Sequence, residues 1–439
     1  MKKLISIFLL SIISFSLFSA CRGRTENASG SVYYLNFKPE QDAAWQKLAS
    51  EYTKETGVSV SVLTASEGNY ESTLTSEIGK NDPPTLFQVN GPVGLSNWKD
   101  YCYDLSSSSL YAALTDKDFA LKDGERVLGI AYAIETYGII YNKTLLNKYF
   151  ASGFSTVKSV EEINNFATFK RVVEEIQANK EAIGVEGAFT SSGMDSSSDW
   201  RFKTHLANLP IYYEYKDESL TFASSIRGKY LENYKQIWDL YINNSTTDKR
   251  LIATKTATDA ETEFKTGKAV FYQNGTWAYS GIKFDNQSGE GLLDMEIGML
   301  PIYIGAPGEE NQGLCTGSEN YWCVNKNASS EDIDATLKFL DWVVNSDTGT
   351  DALSKDMNFV SPFKNAKSAE NPLIDIANDY IKKGKESVAW SFLTIPSDAW
   401  KNGVGTALTQ YAAGSGSWEN VRRAFVDAWA TEYSAGATK

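Results

Sequence analysis

Between residues 31 and 89 the chain alternates between two hydrophobic periods, and that alternation restricts the fold more than any other feature. Ser31–Phe37 reads as a strand, with Val-Tyr-Tyr-Leu-Asn-Phe at its centre and end. Pro39 then leads into a helix, because Trp45, Leu48, Ala49 and Tyr52 fall at i, i+3, i+4 and i+7 and share one face. Gly57 stops that helix and Val58–Leu63 alternates as a second strand. Tyr70–Lys80 reads as helix, Pro83-Pro84 break it, and Thr85–Val89 is a third short strand. The order β-α-β-α-β predicts an α/β layer with a mostly parallel sheet. Ligands of such sheets bind beyond the carboxyl ends of the strands. Those ends carry Phe37, Lys38, Glu40, Glu67 and Asn90, which are therefore candidate ligand contacts.

A second region begins after Tyr141. Ser159 and Glu162 have the spacing of a capping box and predict the start of a helix carrying Ile163, Phe166, Val173 and Ile176. A strand follows at Gly184–Phe189, and Tyr234, Ile237, Trp238 and Tyr241 mark another amphipathic helix. Gly267 separates a helix from the strand Ala269–Gln273, and Asn274-Gly275 reads as a turn. Residues 331–356 read as helices, and so does Ala399–Tyr433 with an interruption at Gly414–Gly416.

The amino terminus reads as an export signal. Lys2 and Lys3 precede an apolar run, Leu4–Phe18, too short to span a bilayer. Ser19-Ala20 and then Cys21 follow, which resembles the bacterial lipobox, with Phe18 standing where the lipobox prefers Leu. The resemblance implies a signal peptide at 1–20, acylation of Cys21, a tether over 21–30 and a location outside the cytoplasmic membrane. No second apolar run approaches a membrane span, so the body is expected to be soluble.

Loss of residues 1–20 removes two lysines and shifts the net charge from −13 to −15. That balance argues against nucleic acid, which demands Lys/Arg patches, and against an anionic membrane surface. The remaining length suggests two or three domains. His205 is the single histidine, in a helix-like stretch without a motif, so it reads as a surface or packing residue. A His-based zinc site or a Ser-His-Asp triad would have only that one base. No CxxC spacing exists, and no metal or cofactor is expected. Cys102, Cys315 and Cys323 allow at most one internal disulfide.

Two further segments carry a family resemblance. One is Ala131-Tyr-Ala-Ile-Glu135-Thr-Tyr-Gly-Ile-Ile-Tyr141-Asn142-Lys143-Thr-Leu-Leu146. The other is Phe264-Lys-Thr-Gly267-Lys-Ala-Val-Phe-Tyr-Gln-Asn274-Gly275-Thr-Trp277-Ala-Tyr279. Both resemble hallmark segments of the extracellular solute-binding proteins of sugar ABC transporters, the group that includes maltose-binding protein. The resemblance implies a two-lobed periplasmic-binding-protein-like fold of class II type, with mixed sheets flanked by helices and a ligand cleft between the lobes. Crossings are implied near Glu135–Gly138, near Gly317–Tyr321 and after Pro362. The lobes would then comprise 31–134 with 321–370, and 139–316 with 371–439. A single extended crossing strand through Cys315 and Cys323 would hold those thiols too far apart to pair.

The implied function is capture of a mono- or oligosaccharide by a monomeric, lipid-anchored receptor that hands it to ABC permease subunits. Trp277 would stack on a sugar ring, because an indole gives a flat apolar platform with little entropy to lose. Glu135 would accept sugar hydroxyls through charge-assisted hydrogen bonds. Trp400, before an amphipathic helix at Val404–Tyr411, resembles in placement a second stacking aromatic, and Trp200, Trp322 and Glu319 lie on loops or crossings near the implied cleft. The competing readings are an exported glycoside hydrolase, which needs two carboxylates across a cleft, and a sugar sensor without transport.

Overall fold

The computed structural model describes residues 30–437, apart from residue 67. Cys21, the signal segment and Glu67 therefore lie outside the described residues. The first sheet is built from β1 (Ser31–Asn36), β2 (Ser59–Thr64), β3 (Leu86–Asn90), β4 (Ala120–Asp123) and β5 (Arg126–Ala131). The chain then forms β6 (Glu135–Asn142), β7 (Gly187–Phe189), β8 (Ala269–Gly275), β9 (Ile297–Leu300) and β10 (Gln312–Gly317) of a second sheet. It returns to the first sheet as β11 (Asn320–Val324) and to the second as β12 (Glu386–Ala389). The strand orders are β2-β1-β3-β11-β5-β4 and β12-β10-β6-β8-β7, with β9 beside β6.

The expected β-α-β-α-β opening is present. Helix Asp42–Thr56 buries Trp45, Leu48, Ala49 and Tyr52, and Gly57 ends it in the left-handed conformation at φ 78°. Each large apolar side chain on such a face contributes about 1.5–3 kcal/mol by leaving water. β1 runs parallel to β2 over six residue pairs, from Ser31↔Ser59 to Asn36↔Thr64, and parallel to β3 at Tyr34↔Leu86. β11 enters antiparallel to β3, with Asn320 opposite Asn90. The carboxyl ends of β1, β2, β3 and β5 and the start of β11 thus share one edge, and the crossings to the second sheet leave from it.

The crossings are short. Residues 132–134 join β5 to β6, and Ser318 and Glu319 join β10 to β11. A third lies between Lys364, whose N–H donates to Ala113 O at 2.9 Å in the first lobe, and Asn371, whose Nδ2 donates to Thr276 O at 2.8 Å in the second. The first lobe packs around Trp45, Tyr34, Trp322 and Phe339, and the second around Trp238, Tyr234, Phe202 and Phe271. Among the described residues no helix is long and apolar enough to cross a membrane.

Several sequence expectations shift. The capping box at Ser159 and Glu162 closes only the short turn Val160–Glu162, and the helix itself starts at Phe166, where the side chain of Asn165 accepts from Thr168 N at 2.9 Å. The strand expected from Gly184 is confined to Gly187–Phe189, because Gly184 ends the helix Lys180–Ile183 at φ 87°. Asn274-Gly275 is not a turn but the end of β8, paired with Gly138 and Tyr137 of β6. The segment through Cys315 and Cys323 is two strands in two sheets rather than one. Both thiols are free and buried, as is Cys102.

Candidate functional site

The first lobe supplies a polar rim from its strand ends. At the end of β1, Asn36 Nδ2 donates to Lys38 O at 2.8 Å and Lys38 N donates to Asn36 Oδ1 at 3.2 Å. Phe37 N donates to Gln88 Oε1 at 2.6 Å. This fixed turn sends Lys38 inward, where its Nζ lies 2.9 Å from Glu135 Oε1 and 3.6 Å from Glu40 Oε1. The Lys38 and Glu135 side chains are only 9% and 7% exposed, so their attraction is weakly screened. Burial alone would push the Lys38 ammonium down, but Glu135 and Glu40 outweigh it and hold the amine above its ordinary range. Next along the edge, Asn320 Nδ2 donates to Asn90 Oδ1 at 3.0 Å, and Gly91 N donates to Glu319 O at 3.0 Å. Desolvation raises the Glu319 carboxyl above its usual value, with Lys401 and Lys38 pulling the other way.

The second lobe supplies rings. Trp277 stands on the short turn Thr276–Ala278 that follows β8, and its indole folds back over Gly275, where a Cβ would lie 2.2 Å from the ring. Only glycine leaves room for that approach. The Trp277 ring is half-buried, and Lys38 Nζ sits 5.9 Å from its centroid. Around it stand Trp200 at 6.1 Å, His205 at 5.5 Å and Tyr137 at 6.4 Å between centroids. His205 stacks on Tyr137 at 4.4 Å with an interplanar angle of 10°. Trp390 covers Gly317 at the end of β10 and lies 5.7 Å from Tyr137. Burial drives the His205 pKa down to about 3, and Lys38 and Arg201 add to the effect. The imidazole is therefore neutral at physiological pH and serves here as a packed ring.

These contacts bring Lys38, Glu135, Trp277 and Trp200 together, with Asn90 and Glu319 beside the crossing. Glu40 is exposed at the rim, and Phe37 is half-buried against Tyr70 at 5.1 Å. Two expected contacts lie elsewhere. Trp322 is fully buried in the first core, stacked on Tyr132 at 4.5 Å, with its N–H donated to Tyr34 OH at 3.2 Å. Trp400 is inside the helix Asp398–Ala412, packed between Phe425 and Trp429, with its N–H donated to Phe425 O at 2.9 Å. The ring faces and donors of both are already taken, so both are packing residues. His205, expected to pack or lie on the surface, is buried behind the Trp277 platform. Tyr137 and Trp390 escaped sequence reasoning. Tyr137 alternates inward along β6, a signal that period-two reading could have used, whereas Trp390 follows the four-residue strand β12 and carries no local signal.

Two buried polar atoms beside this cluster, Trp390 Nε1 and Asn320 Oδ1, have no hydrogen-bond partner among the described residues. Such atoms are costly unless something else satisfies them. A flat C–H face against Trp277 and hydroxyls against Lys38, Glu135 and the amide edge is chemistry this arrangement can perform. Among the described residues no group of three or more His, Cys, Asp or Glu could hold a metal ion.

Comparison with known proteins accords with this geometry. A family model for bacterial extracellular solute-binding proteins matches residues 47–380. No curated protein sequence matches the chain. Among solved structures, the chain is similar to a chitin oligosaccharide binding protein, with TM-score 0.73, 16% identity and coverage of 93% of this chain and 99% of that one. It is similar to RafE in complex with raffinose, with TM-score 0.69, 15% identity and coverage of 92% and 99%. It is also similar to maltose-bound MalE3 of T. maritima, with TM-score 0.67, 13% identity and coverage of 91% and 99%. At these identities the likeness concerns the two-lobed fold. The chain belongs to the bacterial extracellular solute-binding proteins, a family of exported binding proteins rather than enzymes.

Proposed function

We propose that this protein captures a carbohydrate between its lobes and delivers it to the permease subunits of an ABC importer. The observation that carries the reading is the opposition of an aromatic platform, Trp277 backed by His205 and flanked by Trp200, to the Lys38–Glu135 pair. A pyranose offers C–H groups on one face and hydroxyls around its rim, and each half of the cleft suits one of these. The similar structures include a chitin oligosaccharide binding protein, RafE with raffinose and MalE3 with maltose, which agrees with this choice. In this reading the ligand contacts are Trp277, Glu135, Lys38, Trp200, Asn90 and Glu319, with Glu40 and Phe37 at the rim. The lobes comprise 31–134 with 321–370 and 139–316 with 371–439, and the protein acts as a monomer. The chain is held at the outer face of the cytoplasmic membrane by acylated Cys21, with 1–20 removed as the signal peptide.

A thermal-shift screen of the mature chain against mono- and oligosaccharides tests the ligand class. A sugar at 100 times its dissociation constant adds about 2.7 kcal/mol of stability. Stabilisation by a peptide or polyamine and by no sugar would overturn the reading. The anchor is tested separately, since Cys21→Ala is expected to release the protein from membranes and to remove the lipid mass from its N-terminus.

A further inference from the structure

Strand order decides which loop of the first lobe meets which part of the second. Along the carboxyl edge the order is β2, β1, β3 and then β11. β2 and β3 both run parallel to β1, so the three following loops lie side by side. The loop after β2 reaches the second lobe at Gly68, where a Cβ would stand 3.1 Å from Ser196 O and 3.2 Å from Ser197 Cα. The chain after β3 reaches it at Gly91, where a Cβ would stand 3.1 Å from Leu393 Cδ2. From there the helix Gly91–Trp98 packs against the turn Ser391–Thr394. Both glycines have positive φ, 75° and 62°, which L side chains rarely adopt. Between these two seams lies the loop after β1, with Lys38 over Trp277.

Neighbouring strands are about 4.8 Å apart, so at the sheet edge the two seams are separated by two spacings, roughly 10 Å. One or two sugar rings fill such a width. A longer chain running along the edge must part a seam. The Gly68 seam is backbone against backbone and cannot widen by a rotamer change. At Gly91 the partner is a leucine side chain, which has some freedom to turn.

We propose that the carbohydrate is a mono- or disaccharide held wholly inside the closed cleft, with Gly68 and Gly91 as the positions that limit its length. This rests on the carbohydrate reading above. It is tested by titration calorimetry of the mature chain with homologous series from one to four rings, built on glucose, galactose, xylose and N-acetylglucosamine. Within the series that binds, affinity is expected to peak at one or two rings and to fall at least tenfold at three. Equal or tighter binding of the three- and four-ring members would overturn the length limit while leaving the carbohydrate reading intact. No binding by any member of any series would overturn both. A second arm uses Gly68→Val and Gly91→Val, with circular dichroism to confirm folding. Each is expected to weaken the preferred sugar at least tenfold and to enlarge the radius of gyration of the saturated protein. Unchanged affinity and unchanged closure in both variants would remove the two glycines from the proposal.

Discussion

The two walls of the cleft are built in opposite ways. The first lobe contributes Asn90 from the last position of β3 and Lys38 and Glu40 from the turn directly after β1, two strands close in sequence. The second contributes Tyr137, Trp200, His205, Trp277 and Trp390, which are spread over more than 250 positions and meet only through the order of β6, β8, β10 and β12. A polar wall needs only a strand that stops at the right edge. An aromatic wall needs large rings to find one another, and their packing is decided by the whole lobe. The two walls should therefore respond differently to substitution.

The largest expected effect lies in neither wall. Trp322→Ala should cost about 3–5 kcal/mol of folding stability, as for other buried aromatics, because it empties the stack on Tyr132 and removes the N–H donor to the Tyr34 hydroxyl. Urea denaturation measures this loss. Once folding is allowed for, sugar affinity should be unaltered, and a specific loss of binding would return Trp322 to the site.

Trp277→Ala should cost about 2–4 kcal/mol of binding with the fold intact, in the range of hot-spot truncations. Calorimetry beside a far-ultraviolet spectrum separates the two cases. A variant that fails to fold would make Trp277 part of the second core, and the contrast between core tryptophans and platform tryptophan would collapse.

Glu135→Gln should weaken binding by about 1.5–3 kcal/mol, because a charged acceptor is replaced by a neutral one. Lys38→Met tests the other half of the pair, and the double variant shows whether the two act together. Unchanged affinity with an altered open-to-closed balance in solution scattering would assign the pair to the crossing rather than to the ligand.

The effect that is smallest per pH unit concerns His205. Its folded pKa is lowered to about 3, against 6.5 for the free side chain. Between these values the unfolded chain binds a proton that the folded chain refuses, so this group costs stability as pH falls from about 6.5 towards 3. His205→Phe should therefore flatten the pH dependence of the unfolding free energy measured in urea, by at most about 1.4 kcal/mol per pH unit. An unchanged slope would mean that the imidazole takes up its proton in the folded state.

Much of the first wall was legible in the sequence. Trp45, Leu48, Ala49 and Tyr52 announced their helix, Gly57 its end, and the strand-end rule pointed to Lys38 and Asn90. Glu135 and Trp277 came from motif resemblance, and the fold brings both beside Lys38. Trp322 and Trp400 show the limit of that reasoning. A tryptophan near a crossing or at a helix start has the same local sequence signature whether its ring faces the cleft or the core. Only the neighbours Tyr132, Tyr34, Phe425 and Trp429 settle which it is.

The sequence by itself determined the α/β class, the parallel opening of the first sheet and the polar residues past its strands, because hydrophobic period and strand termination are local properties. The tertiary structure alone decided that β11 returns to the first sheet, that His205 stacks on Tyr137 and that Gly68 and Gly91 meet Ser196 and Leu393. Each of these contacts joins residues more than sixty positions apart. No local pattern encodes such a pairing, since it depends on which strand lies beside which and on where the two lobes meet.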